Sequence, residues 1–324
     1  MKRLRVLFIG DNHCDSATPP SRCDDYCIAS AEELQECLEI ARDQNCDAVV
    51  LLGDVFNRME VGGRSRNKVL RVTASGNNGA AWPFPIFVTV GNHDIAHDPA
   101  NLDDSALGTL IAAGTVKKVD YDDDLGIAFG HFVPHFEQHM ADGMLMKVPA
   151  LIWSVHGSIT TQPVFGKYIL FNDLPLSKKT RLVVAGHIHF PMEETRQDGV
   201  RFVNPGNVGR YQATKENMNR EIRVLLVDYE RDGSRIDLEY IPLKSALPAD
   251  QVFHVKRIQE KKDKDAEEVQ FIKQVGQLSG WVNMASGDKY QSLRESGTIK
   301  KIDDRVVDVA VDTLREVNEK KKSV

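Results

Sequence analysis

The sequence predicts an α/β fold, on three observations. Short, continuous, β-branched apolar runs recur between Met1 and His189, as expected of strands buried on both faces. Segments of helical period lie between them. Each run also stops beside a glycine and an Asp, Asn or His, the place where ligands bind in open α/β sheets.

In chain order, Leu4–Ile9 ends at Gly10-Asp11-Asn12-His13. A helix is expected from about Ser30 to Gln44, with Leu34, Leu38 and Ala41 on one face and acidic residues in its first turns. Ala48–Leu52 ends at Gly53-Asp54, and Ile86–Val90 at Gly91-Asn92-His93-Asp94. Leu151–Val155 ends at His156-Gly157, and Leu182–Ala185 at Gly186-His187-Ile188-His189. From Val200 the texture turns antiparallel. Arg201–Val203 leads into Asn204-Pro205-Gly206-Asn207, and Glu221–Tyr229 and Arg235–Ile241 flank the hairpin turn Arg231-Asp232-Gly233. These strands are expected to extend a second sheet packed on the first. The chain is expected to divide into a main domain over 1–247 and a charged helical C-terminal extension over 248–324. In the extension, Ile302, Val306, Val309, Leu314 and Val317 could form an apolar stripe on a last helix, which would fold back or meet a partner.

Composition narrows the class. The chain has 324 residues, 42% hydrophobic and 27% charged, with a net charge of −6. That balance excludes coating nucleic acid by bulk positive charge but leaves room for a local basic track. The apolar run after the basic amino terminus is too short for a signal peptide, and no run reaches the roughly 18 residues of a membrane helix. A soluble, cytoplasmic protein without a membrane partner is expected. All five cysteines fall between Cys14 and Cys46, an odd clustered set unlike a disulfide framework. Cys14, Cys23 and Cys27 could hold zinc, but the usual second ligand pair is missing, so reduced thiols are expected.

The polar clusters carry the chemistry only as a set. Asp11-x-His13 or Gly53-Asp54 alone would be an ordinary turn, and Asn92-His93-Asp94 a helix cap with a surface histidine. His187-x-His189 says more, because a spacing of two puts both imidazoles on one side of an extended segment. Together, Asp11, His13, Asp54, Asn92, His156, His187 and His189 exceed what one tetrahedral ion needs but serve two ions sharing a carboxylate. Oxygen and imidazole donors without thiolate suit Mn, Fe or Zn. Two such ions can stabilise both the attacking and leaving oxygens of a displacement at phosphorus and lower the pKa of a shared water.

These five blocks, in this order, resemble the signature of the calcineurin-like metallophosphoesterase superfamily over roughly Met1 to Ile241. The resemblance implies a four-layered α/β/β/α sandwich and a dinuclear centre holding two divalent ions, Mn²⁺ before Fe or Zn. It implies that Asp11, His13 and His189 bind one metal, that Asn92, His156 and His187 bind the other, and that Asp54 bridges. By the same resemblance His93 contacts the phosphate and helps protonate the leaving oxygen, Asp94 orients its ring, and Asn204-Pro205-Gly206 is a structural turn. His131, His135 and His139 are read as loop or rim residues, since Pro134 breaks their helical spacing.

For the substrate, Gly53-Asp54-Val55-Phe56 before a glycine-punctuated basic loop with Arg64, Arg66, Lys68 and Arg71 is similar to the SbcD-type DNA-repair nucleases, phage recombination nucleases among them. Arg64, Arg66 and Lys68 could track successive phosphates. The resemblance implies a DNA exo- or endonuclease, an SMC-like ATPase partner held through the C-terminal helices, and a homodimer. Two other readings use the same chain: a small-molecule phosphodiesterase or phosphatase, and a non-catalytic scaffold, which retention of all seven ligands disfavours.

Overall fold

The computed structural model describes residues 3–76, 78–135, 138–139, 148–164, 166–260 and 311. Three of the apolar runs form the parallel part of one sheet: β1 (Arg3–Ile9), β2 (Ala48–Leu51) and β3 (Ile86–Val88). Ile9 lies opposite Leu51, and Leu51 opposite Val88, so the three strands end nearly level. Helix α1 (Tyr26–Asp43) connects β1 to β2, α2 (Gly63–Ala74) connects β2 to β3, and α3 (Ala106–Ala112) comes after β3.

Two helices differ from expectation. The Asp25 side chain accepts the Ile28 amide and caps α1, so the helix starts at Tyr26 rather than near Ser30. Its first turn therefore holds no acidic residue, and Glu33 is buried. The basic stretch after Gly63 is helix α2 and not a loop, because Ser65, Val69 and Thr73 recur at helical spacing and are buried.

The second sheet contains β4 (Tyr121–Asp122), β5 (Ile127–Gly130) and β6 (Ile152–His156). A small parallel pair comes next, β7 (Ile159–Thr160) with β8 (Ile169–Leu170). The sheet then continues with β9 (Leu182–Gly186), β10 (Met192–Thr195) and β11 (Arg201–Asn204), in the order β10-β11-β9-β6-β5-β4. β6 and β9 are parallel, with His156 opposite Gly186.

The final hairpin, β12 (Arg223–Glu230) and β13 (Ile236–Pro242), joins the first sheet rather than the second. β12 runs antiparallel to β1, from Arg3 opposite Glu230 to Phe8 opposite Leu225. It is apolar on both faces, with Val224 and Leu226 toward the helices and Leu225 and Val227 toward the other sheet. Such a strand belongs inside a sheet, not at an edge. Arg5 fixes the pairing across it through Asp228 at 2.8 Å.

Three apolar layers result. Leu7, Ile9, Val49 and Leu51 pack on Leu34, Leu38, Val69, Leu107 and Leu110 of the helices. Leu4, Val6, Phe8, Val50 and Leu225 meet Ile127, Ile152, Leu182 and Val184 between the sheets. On the far side, Trp153, Val155, Val183 and Phe202 are covered by Ile159, Ile169 and Phe171. Each fully buried side chain of this size contributes about 1.5–3 kcal/mol. The architecture is the expected mixed α/β sandwich. Among the described residues its outermost layer on the second sheet is β7–β8 and the 3-10 turn Phe171–Asp173.

The chain divides into two units, Met1–Phe253 and His254–Val324. Ala249–Phe253 belongs to the first, where the Val252 carbonyl accepts the Cys23 amide. The stripe from Ile302 to Val317 lies outside the described residues. No helix among the described residues is long and apolar enough to cross a membrane.

Candidate metal centre

Both sheets deliver their parallel strand ends to one edge of the sandwich. Asp11 and His13 lie just past β1, Asp54 past β2, and Asn92 and His93 past β3. From the other sheet come His156, which ends β6, and His187 and His189 after β9. His13 Nε2 lies 2.9 Å from His189 Nε2, and His189 Nε2 lies 3.5 Å from Asp11 Oδ2. His156 Nε2 and His187 Nδ1 lie 3.1 and 3.0 Å from Asn92 Oδ1. Asp54 Oδ2 sits between the two groups, 3.7 Å from His13 Nε2 and 3.4 Å from His156 Nε2. All seven side chains face one another.

Local backbone is bent to achieve this. His13, Asp54 and His187 have φ of 50°, 45° and 80°, a left-handed conformation costing a non-glycine residue roughly 1–2 kcal/mol. The amides of Asn12 and His13 both reach the Asp54 carbonyl, at 3.2 and 2.8 Å, and tie the β1 turn to the β2 turn. Glycine is required beside them for space. A Cβ at Gly91 would lie 2.2 Å from Asp54 Oδ1, and one at Gly186 2.5 Å from Asp11 Oδ1.

The protonation pattern suits cations at three imidazoles and opposes them at His156 and Asp11. Burial pushes His13 and His187 down to about 3 and His189 to about 4, which leaves neutral, ligating imidazoles. Burial alone would raise Asp54, but His156, His13 and His93 hold it well below the usual carboxylate range. Against its own burial, His156 is pushed up to about 10 by Asp54. Burial, helped by the charge of Asp54 and opposed by His156, raises Asp11 to about 7.

One ring tests the fit to a metal. His156 Nδ1 is 2.8 Å from the Leu52 carbonyl, which can only accept, so Nδ1 carries a proton. In the neutral ring Nε2 then points a lone pair at two further acceptors, Asn92 Oδ1 and Asp54 Oδ2. Such convergence needs a positive charge there, supplied in the metal-free chain by a second proton on the ring, whose place a metal ion can take. Asp11–His13–His189 and Asp54–His156–His187 each offer ligand atoms within 4.8 Å of one another, and His13–Asp54–His93 forms a third, overlapping set. The Asp/His cluster fits a dinuclear metal site.

His93 is half-buried, with its Nδ1 2.7 Å from the Asn57 carbonyl and its amide donating to Asp54 Oδ1 at 2.9 Å. Its ring meets His13 edge-on, centroids 4.9 Å apart. Asp94 does not orient it. The fully buried Asp94 carboxylate turns away to accept the Gly91 and Phe56 amides at 3.0 and 3.1 Å, and so joins the β3 turn to the segment after Asp54. Adjacent residues at a turn point apart, and the backbone of Asn57 fills the place expected for Asp94.

The other expected positions lie farther out. Arg64, on α2, pairs with Asp25 at 2.6 Å. Arg66 and Arg71 are exposed on the same helix and Lys68 is half-buried. His131 braces the framework, taking the Val90 amide on Nδ1 and giving Nε2–H to the Val119 carbonyl, each at 3.0 Å. His135 is exposed. Among the described residues none of the cysteines belongs to a metal-capable group, and all five are free. The turn Asn204-Pro205-Gly206 supports the site, since Asn204 Nδ2 donates to the Ile188 carbonyl at 2.8 Å.

A second set of residues escaped sequence reasoning. Asp15 is buried and receives Asn57 Nδ2 at 2.9 Å and Arg58 Nε and Nη2 at 3.0 and 2.7 Å. Asn57 Nδ2 also reaches Tyr211 Oη at 2.9 Å, and the Tyr211 ring stacks near His13. The residue that holds His93 is therefore itself held. Only the proximity of Asp15 to His13 and of Asn57-Arg58 to Asp54 hinted at this in the sequence.

Residues 4–208 match the family model described as calcineurin-like phosphoesterase. Among solved structures, the chain is similar to a dimetal phosphatase of Danio rerio at 12% identity, covering 72% of this chain and 98% of that one, with a TM-score of 0.43. It is also similar to the calcineurin-like phosphoesterase YfkN of Bacillus subtilis at 11% identity, covering 74% and 90%, with a TM-score of 0.42. No curated protein matches the sequence.

Proposed function

The chain belongs to the calcineurin-like phosphoesterase family, and from that premise we propose that it is a metal-dependent phosphodiesterase acting on DNA, as an exo- or endonuclease in repair or recombination. Asp11, His13 and His189 would hold one ion and Asn92, His156 and His187 the other, with Asp54 between them; Mn²⁺ is the ion proposed, Fe and Zn being compatible with the same donors. Two divalent ions there supply Lewis-acid clamping of the phosphate and activation of water. The chain's own residues then act on the ester. His93, fixed through Nδ1 by Asn57, presents Nε2 to the leaving oxygen and can pass it a proton.

The observation that carries the polynucleotide reading is the placement of α2. Its first turn is tied to the segment just after His13, with Ser16 Oγ donating to the Gly62 carbonyl at 2.9 Å and accepting the Ser65 amide at 3.1 Å. The helix carries Arg64, Lys68 and Arg71 at i, i+4 and i+7 and no acidic residue. A basic ridge of this kind, with Arg64 shared with Asp25 and Lys68 and Arg71 following it, suits successive phosphates. An SMC-like ATPase is the proposed partner of the extension after 248, with capture of such a subunit by the full chain as its test.

Two measurements decide. Metal analysis of purified protein should find about two transition-metal ions per chain. With Mn²⁺, single- and double-stranded DNA should be cut alongside bis-nitrophenyl phosphate, in preference to the mono-ester. Hydrolysis of small esters with no action on any DNA would remove the nuclease reading and leave a small-molecule phosphoesterase. Neither metal nor hydrolysis would leave only a scaffold.

A further inference from the structure

A cavity of about 510 Å³ opens beside the metal centre, and nothing in the family signature accounts for it. His187 and His189 line it, so whatever fills it lies next to a phosphate held at the centre. Phe190, the residue after His189, lines it with 41% of its surface exposed. Its phenyl face is thus open to solvent beside two imidazoles of the cluster and free to stack on a flat group. Apart from Ile188, the rest of its lining is polar. Asn217 is locked there, with Nδ2 on the Gln212 carbonyl at 3.0 Å and Oδ1 taking Arg220 Nε at 3.0 Å. The side chains of Gln212 and Thr214, both exposed, lie at the rim.

We infer that this cavity is a nucleobase subsite: the base next to the scissile phosphate stacks on Phe190, with the Gln212 amide and Thr214 hydroxyl at its edge. The inference rests on the phosphodiesterase reading above and names what lies on one side of the ester. An aromatic face beside a phosphate site accepts any base, while an amide and a hydroxyl offer both donors and acceptors to the edge. The volume falls in the range of small-ligand pockets and exceeds what a phosphate alone would fill.

The test compares two diesters with the same leaving group, thymidine 5′-(p-nitrophenyl phosphate) and methyl p-nitrophenyl phosphate. Wild type should prefer the nucleoside ester. Phe190→Ala and Phe190→Leu should each lower the ratio of the two kcat/KM values about tenfold, and Phe190→Trp should restore it. By calorimetry, Phe190→Ala should weaken thymidine 5′-phosphate about tenfold relative to inorganic phosphate. Rescue by leucine as well as tryptophan would overturn stacking. A wild type that cleaves both diesters without preference overturns the subsite and leaves the diesterase intact. A wild type that cleaves neither, yet binds thymidine 5′-phosphate in a Phe190-dependent manner, overturns the diesterase and leaves the subsite.

Discussion

The carbonyl oxygen of Asn57 holds His93 Nδ1 at 2.7 Å, while the neighbouring Asp94 binds only backbone amides. The two residues should therefore fail differently. His93→Ala removes the proposed proton donor and its edge-on contact with His13 but none of the seven proposed ligands, so kcat should fall roughly 10²–10⁴-fold with both metals retained. Asp94→Ala leaves two buried amides without an acceptor, at about 1–3 kcal/mol each. Its melting temperature and metal content should fall together. Equal metal loss in both variants would remove His93 from catalysis.

Metal uptake should release protons. In the metal-free chain His156, near 10, is charged at pH 7, and Asp11, near 7, is half-protonated. Ligation needs both without their protons, so about one to two protons should leave per chain on loading at pH 7. Apparent metal affinity therefore rises as pH increases from about 6 to 9. Titration in weak buffer with an indicator dye measures the release. Asp54→Ala removes the carboxylate that holds the His156 proton and should bind little metal at any pH in this range.

Space around the carboxylates gives a sharper contrast. Gly91→Ala would put a Cβ 2.2 Å from Asp54 Oδ1 and displace it, whereas a Cβ at Gly63, at the start of α2, meets nothing within 4 Å. Metal content should drop in the first variant and hold in the second. Gly63→Ala should also gain about 0.5–1 kcal/mol, since alanine favours the helix. Chelator-corrected metal counts and urea midpoints check both.

Much of the fold and site was legible in the chain because the relevant physics is local. β-branched runs mark buried strands, and a glycine beside Asp, Asn or His marks a strand end where two ligands crowd. What escaped is long-range or carried by backbone. Nothing near Arg223 announces that its strand pairs with β1, a choice fixed by contacts such as Arg5–Asp228. The oxygen that orients His93 is a main-chain carbonyl, which no residue type reports. Tyr211 reaches Asn57 from far along the chain, beyond any motif window. The Arg64–Asp25 pair likewise appears only once α1 and α2 lie side by side.

Glu33 sets a pH limit on stability independent of metal. It is buried in α1, burial raises it to about 8, and its Oε2 has no hydrogen-bond partner. Below about pH 4.5 the folded and unfolded chains both keep this proton, so the full contribution is present there. As pH rises toward 8 the unfolded chain ionises first, and folding stability is lost across that window. Glu33→Gln should not show this loss. In metal-free protein its advantage over wild type should grow from near zero at pH 4.5 to about 2–4 kcal/mol at pH 8.5, read from urea unfolding.

Variants at Asp15 and Arg58 should separate positioning of His93 from the proposed phosphate binding. The buried Asp15 carboxylate fixes both Asn57 and the Arg58 guanidinium, whose side chain remains 56% exposed. Asp15→Asn removes the charge that anchors both, so the Asn57 carbonyl loosens and His93 loses its fixed orientation. A fall of about tenfold in kcat with metal content intact is expected, together with a shifted acidic limb in the pH–rate profile. Arg58→Ala leaves Asp15 with its Asn57 bond and removes a preorganised cation from the rim. It should act on KM for DNA more than on kcat and lower the slope of log affinity against log salt by about one. It should do little to a mono-anionic small diester at high salt. If Arg58→Ala lowered kcat equally on DNA and on the small diester, Arg58 would belong with the groups that orient His93 and not with the proposed nucleic-acid contacts.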